Sequence, residues 1–397
     1  PQRLETSGHG TLRLIISLFR TAGVGVASRF SEAHIPRMNC RLPARLAALT
    51  LGLSLTGFST PASARATTMT TPSLSLPDPP TTAAWAERRE QLRREWLDIL
   101  GPFPPRPDLE AQVLRTEKEL DHDRLLVTYQ TEPGQWTDAY LLIPHRRAGR
   151  APAAVVFHAT TSRHILQPVG LATSSTRHLA LHLVRRGFVT LSPRCFIYGP
   201  ADSSPATGPA HPERGVRDYA AESEKLLQRA PGWTGMGKML WDGMRAVDFL
   251  LTRPEVDPER IACVGHSLGA KETLYLAAFD SRIRAAVFSE GGVGLRHTNW
   301  DAVWYLGSRI PDAKLGRDHH ELLALMAPRP FMIIGGGDAD GEHTRLLVET
   351  ARPVWQLYGR PDALVLLLHD RGHDLPDDVR ERAYDWLEDM MGRRRNN

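Results

Sequence analysis

Ile261-Ala-Cys-Val-Gly-His-Ser-Leu-Gly-Ala-Lys271 holds an apolar run that ends at Gly265, one polar residue, a serine, and a helix-forming series from Leu268. That order predicts a strand, a sharp turn and a helix. The turn forces Ser267 into a strained backbone conformation, and glycines are wanted at 265 and 269 because side chains there would collide with the strand and the helix start. The hydroxyl is left clear of its surroundings. The unpaired N–H groups of the new helix point back toward it, an arrangement that suits a developing oxyanion. A serine in an ordinary strand-to-helix turn is the plain alternative. The Asp257-Pro-Glu-Arg260 turn and the strand before Ser267, with the helix after it, favour a nucleophile.

Working outward, short continuous apolar runs recur at 153–158, 188–192, 261–265, 285–289, 330–335 and 363–369, as expected of parallel strands buried on both faces. Helix-period patterns lie between them at 176–186, 238–252, 268–279, 342–358 and 379–391. Two further strands are expected earlier, at 124–130 and 137–143, after a helix over 85–100 that Gly101-Pro102 stops. The alternation predicts an α/β protein: a mostly parallel, doubly wound sheet of about eight strands, with helices on both faces. Two long interruptions, 193–237 and 291–325, are expected to lie as insertions over the C-terminal ends of the strands.

The first plausible initiator is Met38, so residues 1–37 read as an upstream, non-native segment. Residues 38–64 have the three parts of a secretory signal: basic Arg41 and Arg45, an apolar stretch from Leu46 to Phe58, and Ala62-Ser63-Ala64 as a cleavage site. The apolar stretch is short of the roughly 20 residues that a membrane span needs. The expectation is therefore export to the periplasm or medium, with no membrane span. Residues 65–80 are rich in Thr, Ser and Pro and read as a linker, leaving 81–397 as the catalytic domain.

The leader also accounts for the net charge of +4. Seven of the 49 Lys and Arg and two of the 45 Asp and Glu fall before residue 65, leaving 42 basic against 43 acidic side chains. Nothing in that balance recommends a nucleic-acid partner. Cys40 lies in the signal, and Cys195 and Cys263 are expected as free thiols rather than a disulfide.

A serine hydroxyl needs a base within hydrogen-bond reach, itself oriented by a carboxylate. On sheets of this kind the three follow in the chain order nucleophile, acid, base. The base should thus follow the last strand, where His369-Asp-Arg-Gly-His373 stands; His373, after a turning glycine, is the candidate, and His369 the alternative. The preceding strand ends in Gly335-Gly-Gly-Asp338-Ala-Asp340. Asp338 is the expected acid. Asp340 serves if the turn is one step longer, and otherwise caps the next helix. Glu290, one strand earlier, is a third candidate, or else a buried carboxylate bound by the amides of residues 291–294. The oxyanion hole should combine the Leu268 N–H with one from the loop at 158–161, with Thr160 ahead of Ala159. His158 and His164 lack partners at metal-ligand spacing, so no metal is expected. Trp300 and Lys271 are further candidates for substrate contact, with packing and ion pairing as their plainer roles.

These residues resemble the α/β-hydrolase superfamily and, within it, dienelactone-hydrolase-like and acetyl-xylan-esterase-like bacterial serine esterases. The matching stretches are Leu100-Gly-Pro-Phe-Pro104, Trp241-Asp-Gly-Met-Arg-Ala-Val-Asp248, Asp257-Pro-Glu-Arg260, Gly265-His-Ser-Leu-Gly269, Ser289-Glu-Gly-Gly292 and Asn299-Trp-Asp301. The resemblance covers the chain from Trp85 onward. It implies an α/β-hydrolase fold, a Ser-His-Asp triad, an acyl-enzyme, no cofactor, and small or polymer-fragment carboxylic-ester substrates. Dienelactone hydrolases proper have Cys where Ser267 stands. Glucuronoyl esterases also look similar, through Gly265-His-Ser267, Lys271 and an acid near Glu290, and carry Arg where this chain has Leu268. Peptidases of the prolyl-oligopeptidase type would bring a propeller with repeats, which the sequence lacks. A non-catalytic binding protein on the same scaffold would be expected to have lost a triad member, and candidates for all three are present.

Overall fold

The computed structural model describes residues 73–162, 164–172, 175–198, 218–310 and 317–392. The leader, most of the linker and parts of both insertions lie outside them. Along the chain run α1 (Thr82–Leu100), β1 (Gln112–Lys118), β2 (His122–Glu132), β3 (Gln135–Pro144), β4 (Ala151–Phe157), α2 (Leu179–Arg185), β5 (Val189–Pro193), α3 (Tyr219–Arg229), α4 (Gly235–Leu251), β6 (Val256–His266), α5 (Leu268–Phe279), β7 (Ile283–Ser289), α6 (His320–Met326), β8 (Phe331–Gly335), α7 (Glu342–Leu357), β9 (Leu364–Leu368) and α8 (Asp377–Met390).

The strands form one sheet in the order β1-β2-β3-β5-β4-β6-β7-β8-β9. β1, β2, β3 and β5 pair antiparallel in succession, and every pairing from β5 across to β9 is parallel. The sheet therefore has nine strands where about eight were expected. The added one, β1, is an edge strand whose residues are all exposed or half-buried, and its sequence has no apolar alternation to announce it.

Alternation along the central strands explains why their apolar runs are continuous. Val155 and Cys263 join a core cluster with side chains of α1, α4, α5, α6 and α7. Their neighbours Ala154, Val156, Ala262 and Val264 face the opposite cluster, with α2 and α8. Each strand feeds both layers, so it has no polar face.

Register sets the height of the strand ends. Gly265 pairs with Phe157 of β4 and Phe288 of β7, and Ser289 pairs with His266 and with Ile334 of β8. Gly335 of β8 lies opposite Leu368 of β9. The loops leaving β4, β6, β7, β8 and β9 therefore start level on one edge of the sheet. Leu74 and Leu76, at the end of the expected linker, pack against the core, and the Ser73 carbonyl faces His320 Nε2 at 3.3 Å. No helix among the described residues is long and apolar enough to cross a membrane.

Candidate active site

Ser267 sits between β6 and α5 with φ 59° and ψ −118°, a conformation that costs about 1–3 kcal/mol and needs a rigid setting. The setting is visible. A Cβ at Gly265 would overlap the Gly269 carbonyl, and one at Gly269 would overlap the Phe157 carbonyl of β4. The Ser267 N–H donates to the Ser289 carbonyl at 2.8 Å, tying the turn to β7.

His373 lies in the loop after β9. Its Nε2 is 2.9 Å from Ser267 Oγ, its ring stands 5.0 Å from that of His266, and its carbonyl accepts a hydrogen bond from the Arg177 guanidinium at 2.9 Å. His266 is buried and turned to Ser289 Oγ at 3.1 Å, and burial holds its pKa well below the usual imidazole value. His369 is used within the loop: its Nδ1 accepts the Arg371 N–H at 3.1 Å.

Two carboxylates approach His373 Nδ1. Glu290 Oε2 is 3.2 Å away, and the residue is fully buried. Asp338 Oδ2 is 3.5 Å away, with 65% of its side chain exposed. Glu290 directly follows β7, at φ 51°, and accepts hydrogen bonds from the N–H groups of Gly336 and Ala339 in the loop after β8. Burial alone would raise its pKa, but His373 and the two N–H groups hold it below the ordinary glutamate value. Asp340 points elsewhere. Its carboxylate accepts from the N–H groups of Gly292 at 2.6 Å and Val293 at 2.8 Å and from Thr344 Oγ1 at 3.0 Å, and burial raises its pKa. The amides expected near Glu290 thus belong to Asp340, and Glu290 takes those of the other loop.

The Leu268 N–H opens α5, where a helix has no internal acceptor for it. Gly269 lets that helix start against the end of β4, which puts the 158–161 loop beside it. His158 shapes this loop: its ring spans the Ala159 carbonyl at 2.9 Å and the Cys195 N–H at 3.2 Å, and burial lowers its pKa to about 4. The Cys195 contact makes Nε2 the acceptor, so Nδ1 carries the proton and donates to Ala159. His164 packs against His158 and Tyr198. Among the described residues, the one group of three side chains of metal-ligand type is Glu290, Asp338 and His373 itself.

Trp300 and Lys271 lie inside the protein. Trp300 is fully buried, and its Nε1–H donates to the Gly292 carbonyl at 2.8 Å. Lys271 Nζ lies 3.7 Å from the centre of the Trp300 ring and donates to Thr298 Oγ1 at 2.6 Å, and desolvation lowers its pKa to about 7. Trp304 stacks on Tyr219 at 4.3 Å. Cys195 and Cys263 are free and buried. Arg177 was not anticipated: nothing in its own stretch of sequence signals contact with a loop 196 residues away.

A serine on a strained strand-to-helix turn at the end of a central parallel strand, faced by a histidine from beyond the last strand, is the layout of the α/β-hydrolase fold. Residues 137–301 match the dienelactone hydrolase family. It is a serine hydrolase of the carboxylic-ester class. The protein YtaP of Bacillus subtilis (strain 168) is 24% identical over 261 residues, which span 63% of this chain and 80% of YtaP. Carbohydrate esterase MZ0003, from an unknown prokaryotic organism, is 24% identical over 168 residues, 37% of this chain and 39% of that protein. The structure of a glucuronoyl esterase from Solibacter usitatus shares the fold at TM-score 0.62 and 19% identity, covering 81% of this chain and 97% of that one.

Proposed function

We propose that the protein is an exported serine esterase that removes acyl or alkyl groups from esters of carbohydrate, with Ser267, His373 and Glu290 as its triad. The observation that carries this reading is the continuous contact from Ser267 Oγ to His373 Nε2 at 2.9 Å and from His373 Nδ1 to Glu290 at 3.2 Å. With Nδ1–H donating to Glu290, Nε2 is left to take the serine proton as Oγ bonds to the ester carbonyl carbon. The carbonyl electrons move onto oxygen, which the N–H groups of Leu268 and Thr160 would receive. Collapse breaks the bond to the alcohol oxygen, which takes the proton from Nε2. Water then repeats the sequence on the acyl-enzyme.

Glu290 is preferred to Asp338 as the acid because it is buried, closer and fixed by two backbone donors, whereas Asp338 is largely in water, where its pull on the imidazole is weaker. Asp338 then acts as a second, outer carboxylate. Export rests on the leader pattern of residues 38–64. The carbohydrate substrate rests on the likeness to MZ0003 and to the glucuronoyl esterase fold. The seat of Glu290 favours a glucuronoyl ester as the second reading, with Leu268 standing where those enzymes carry Arg.

The purified protein should hydrolyse p-nitrophenyl acetate and release acetate or alcohol from acetylated or glucuronoylated xylo-oligosaccharides. Ser267→Ala should lower both rates by about 10⁴-fold or more. Hydrolysis of the aryl ester alone would remove the carbohydrate part of the reading, and an active Ser267→Ala protein would remove the site.

A further inference from the structure

A cavity of about 230 Å³ opens beside the start of β3 and the segment after β5. β3 runs antiparallel to β5, with Ala139 opposite Pro193, so both segments lie on the sheet edge where β6 delivers Ser267. The cavity wall also reaches the catalytic loops. Cys195 lines it and donates its N–H to His158 Nε2 at 3.2 Å. α3 closes the outer side.

The lining is aromatic on one part and densely polar on the rest. Trp136 and Phe196, both half-buried, supply the aromatic surface, and Gln135, Arg194, Lys238 and Asp242 supply donors and acceptors. The four cations of the wall already have acid partners: Arg194 with Asp138, Lys225 with Glu222 at 2.7 Å, Arg229 with Glu132 at 3.0 Å, and Lys238 with Glu132 at 2.9 Å and with Asp242 at 2.5 Å. An anion would find no uncompensated charge. A polyol would find donors and acceptors held in ion pairs beside an indole, the pairing that suits a ring with apolar faces and hydroxyl edges. The volume lies just under the range of roughly 300–1,000 Å³ for drug-sized ligands, the right scale for one ring.

We propose that this cavity binds one neutral sugar unit of the saccharide that carries the scissile ester, with Trp136 as its platform. The inference rests on the carbohydrate-esterase reading above and extends it to a second subsite. The test uses the full-length Ser267→Ala protein titrated with unesterified xylotetraose, followed by tryptophan fluorescence. Saturable binding should weaken about tenfold or more in Ser267→Ala/Trp136→Ala and survive in part in Ser267→Ala/Trp136→Phe. It should change less than about twofold between roughly 0.05 and 0.5 M NaCl, because no net charge is being matched. With Ser267 intact, Trp136→Ala should raise KM for acetylated xylo-oligosaccharide about tenfold and leave kcat/KM for p-nitrophenyl acetate unchanged. Binding and KM indifferent to Trp136 would overturn the proposal. Salt-sensitive binding that prefers a uronic-acid-bearing fragment would overturn it in favour of an anion site. If the aryl ester is cleaved, saccharide esters are not, and xylotetraose still binds through Trp136, the carbohydrate-ester reading fails while the cavity stands as a sugar-binding site.

Discussion

The loops that leave β7 and β8 are built alike and used differently. Each presents a carboxylate beside a run of glycines, and each carboxylate is spent on the backbone of the other loop. Glu290, after β7, receives the N–H groups of Gly336 and Ala339, and Asp340, after β8, receives those of Gly292 and Val293. The exchange locks the two loops together at the level of Ser267. Of the two, only Glu290 also reaches His373, through Oε2, the oxygen that already accepts the Ala339 N–H. The structural duty is therefore shared, whereas only the β7 loop sets its buried carboxylate against His373, the β8 loop reaching that ring through the exposed Asp338 at 3.5 Å.

Glu290→Gln should give the largest effect that separates the loops. The amide keeps one acceptor but sets an NH₂ group against a backbone N–H or against His373 Nδ1–H. kcat should fall by about 10³–10⁴-fold, and the melting temperature should fall as well. Asp340→Asn is the matching variant, because it faces the same donor conflict at Gly292 or Val293. It should cost about 1–3 kcal/mol of stability and leave kcat within about tenfold. Steady-state kinetics and thermal melts on the two proteins make the comparison. Equal losses of kcat would show that locking the loops, and not contact with His373, is what catalysis needs.

Asp338→Asn should be milder on both counts. With 65% of its side chain in water, it should lower kcat by less than about tenfold and leave the melting temperature unchanged. A larger loss of kcat in Asp338→Asn than in Glu290→Gln would return the acid to the β8 loop.

The same contrast explains what could be read from the sequence. The elbow is a local matter: Gly265 and Gly269 are demanded by atoms within a few residues or by the strand beside them, so the turn and the bounds of α5 at Leu268 and Phe279 follow from the sequence. His373 was legible for a similar reason, since a glycine turn after the last strand leaves few histidines to choose from. The choice among Asp338, Asp340 and Glu290 is made by hydrogen bonds between segments more than 40 residues apart, and no local pattern encodes them. α6 lay hidden within an expected insertion because seven residues, all buried, show no face. Lys271 and Trp300 looked like ligand contacts by type, whereas the fold turns them inward, against each other.

That inward pair provides the smallest and most specific test, because Lys271 lies on the Asp340 side of the comparison. Desolvation lowers its pKa to about 7, with Asp340 opposing the shift. In the unfolded chain the ammonium should keep its proton up to about pH 10.4. Below about pH 7 both states hold the proton, and the burial penalty is constant. Between there and about pH 10.4 the unfolded state holds a proton that the folded state has released, so unfolding free energy rises with pH. Above that window neither state is charged and the slope ends. Lys271→Met removes the titration. The melting temperature of the parent relative to the Met variant should therefore be lowest at and below about pH 7, and should climb steadily toward about pH 10. A difference that stays flat across this range would show Lys271 titrating normally, and so in contact with solvent rather than held under Trp300.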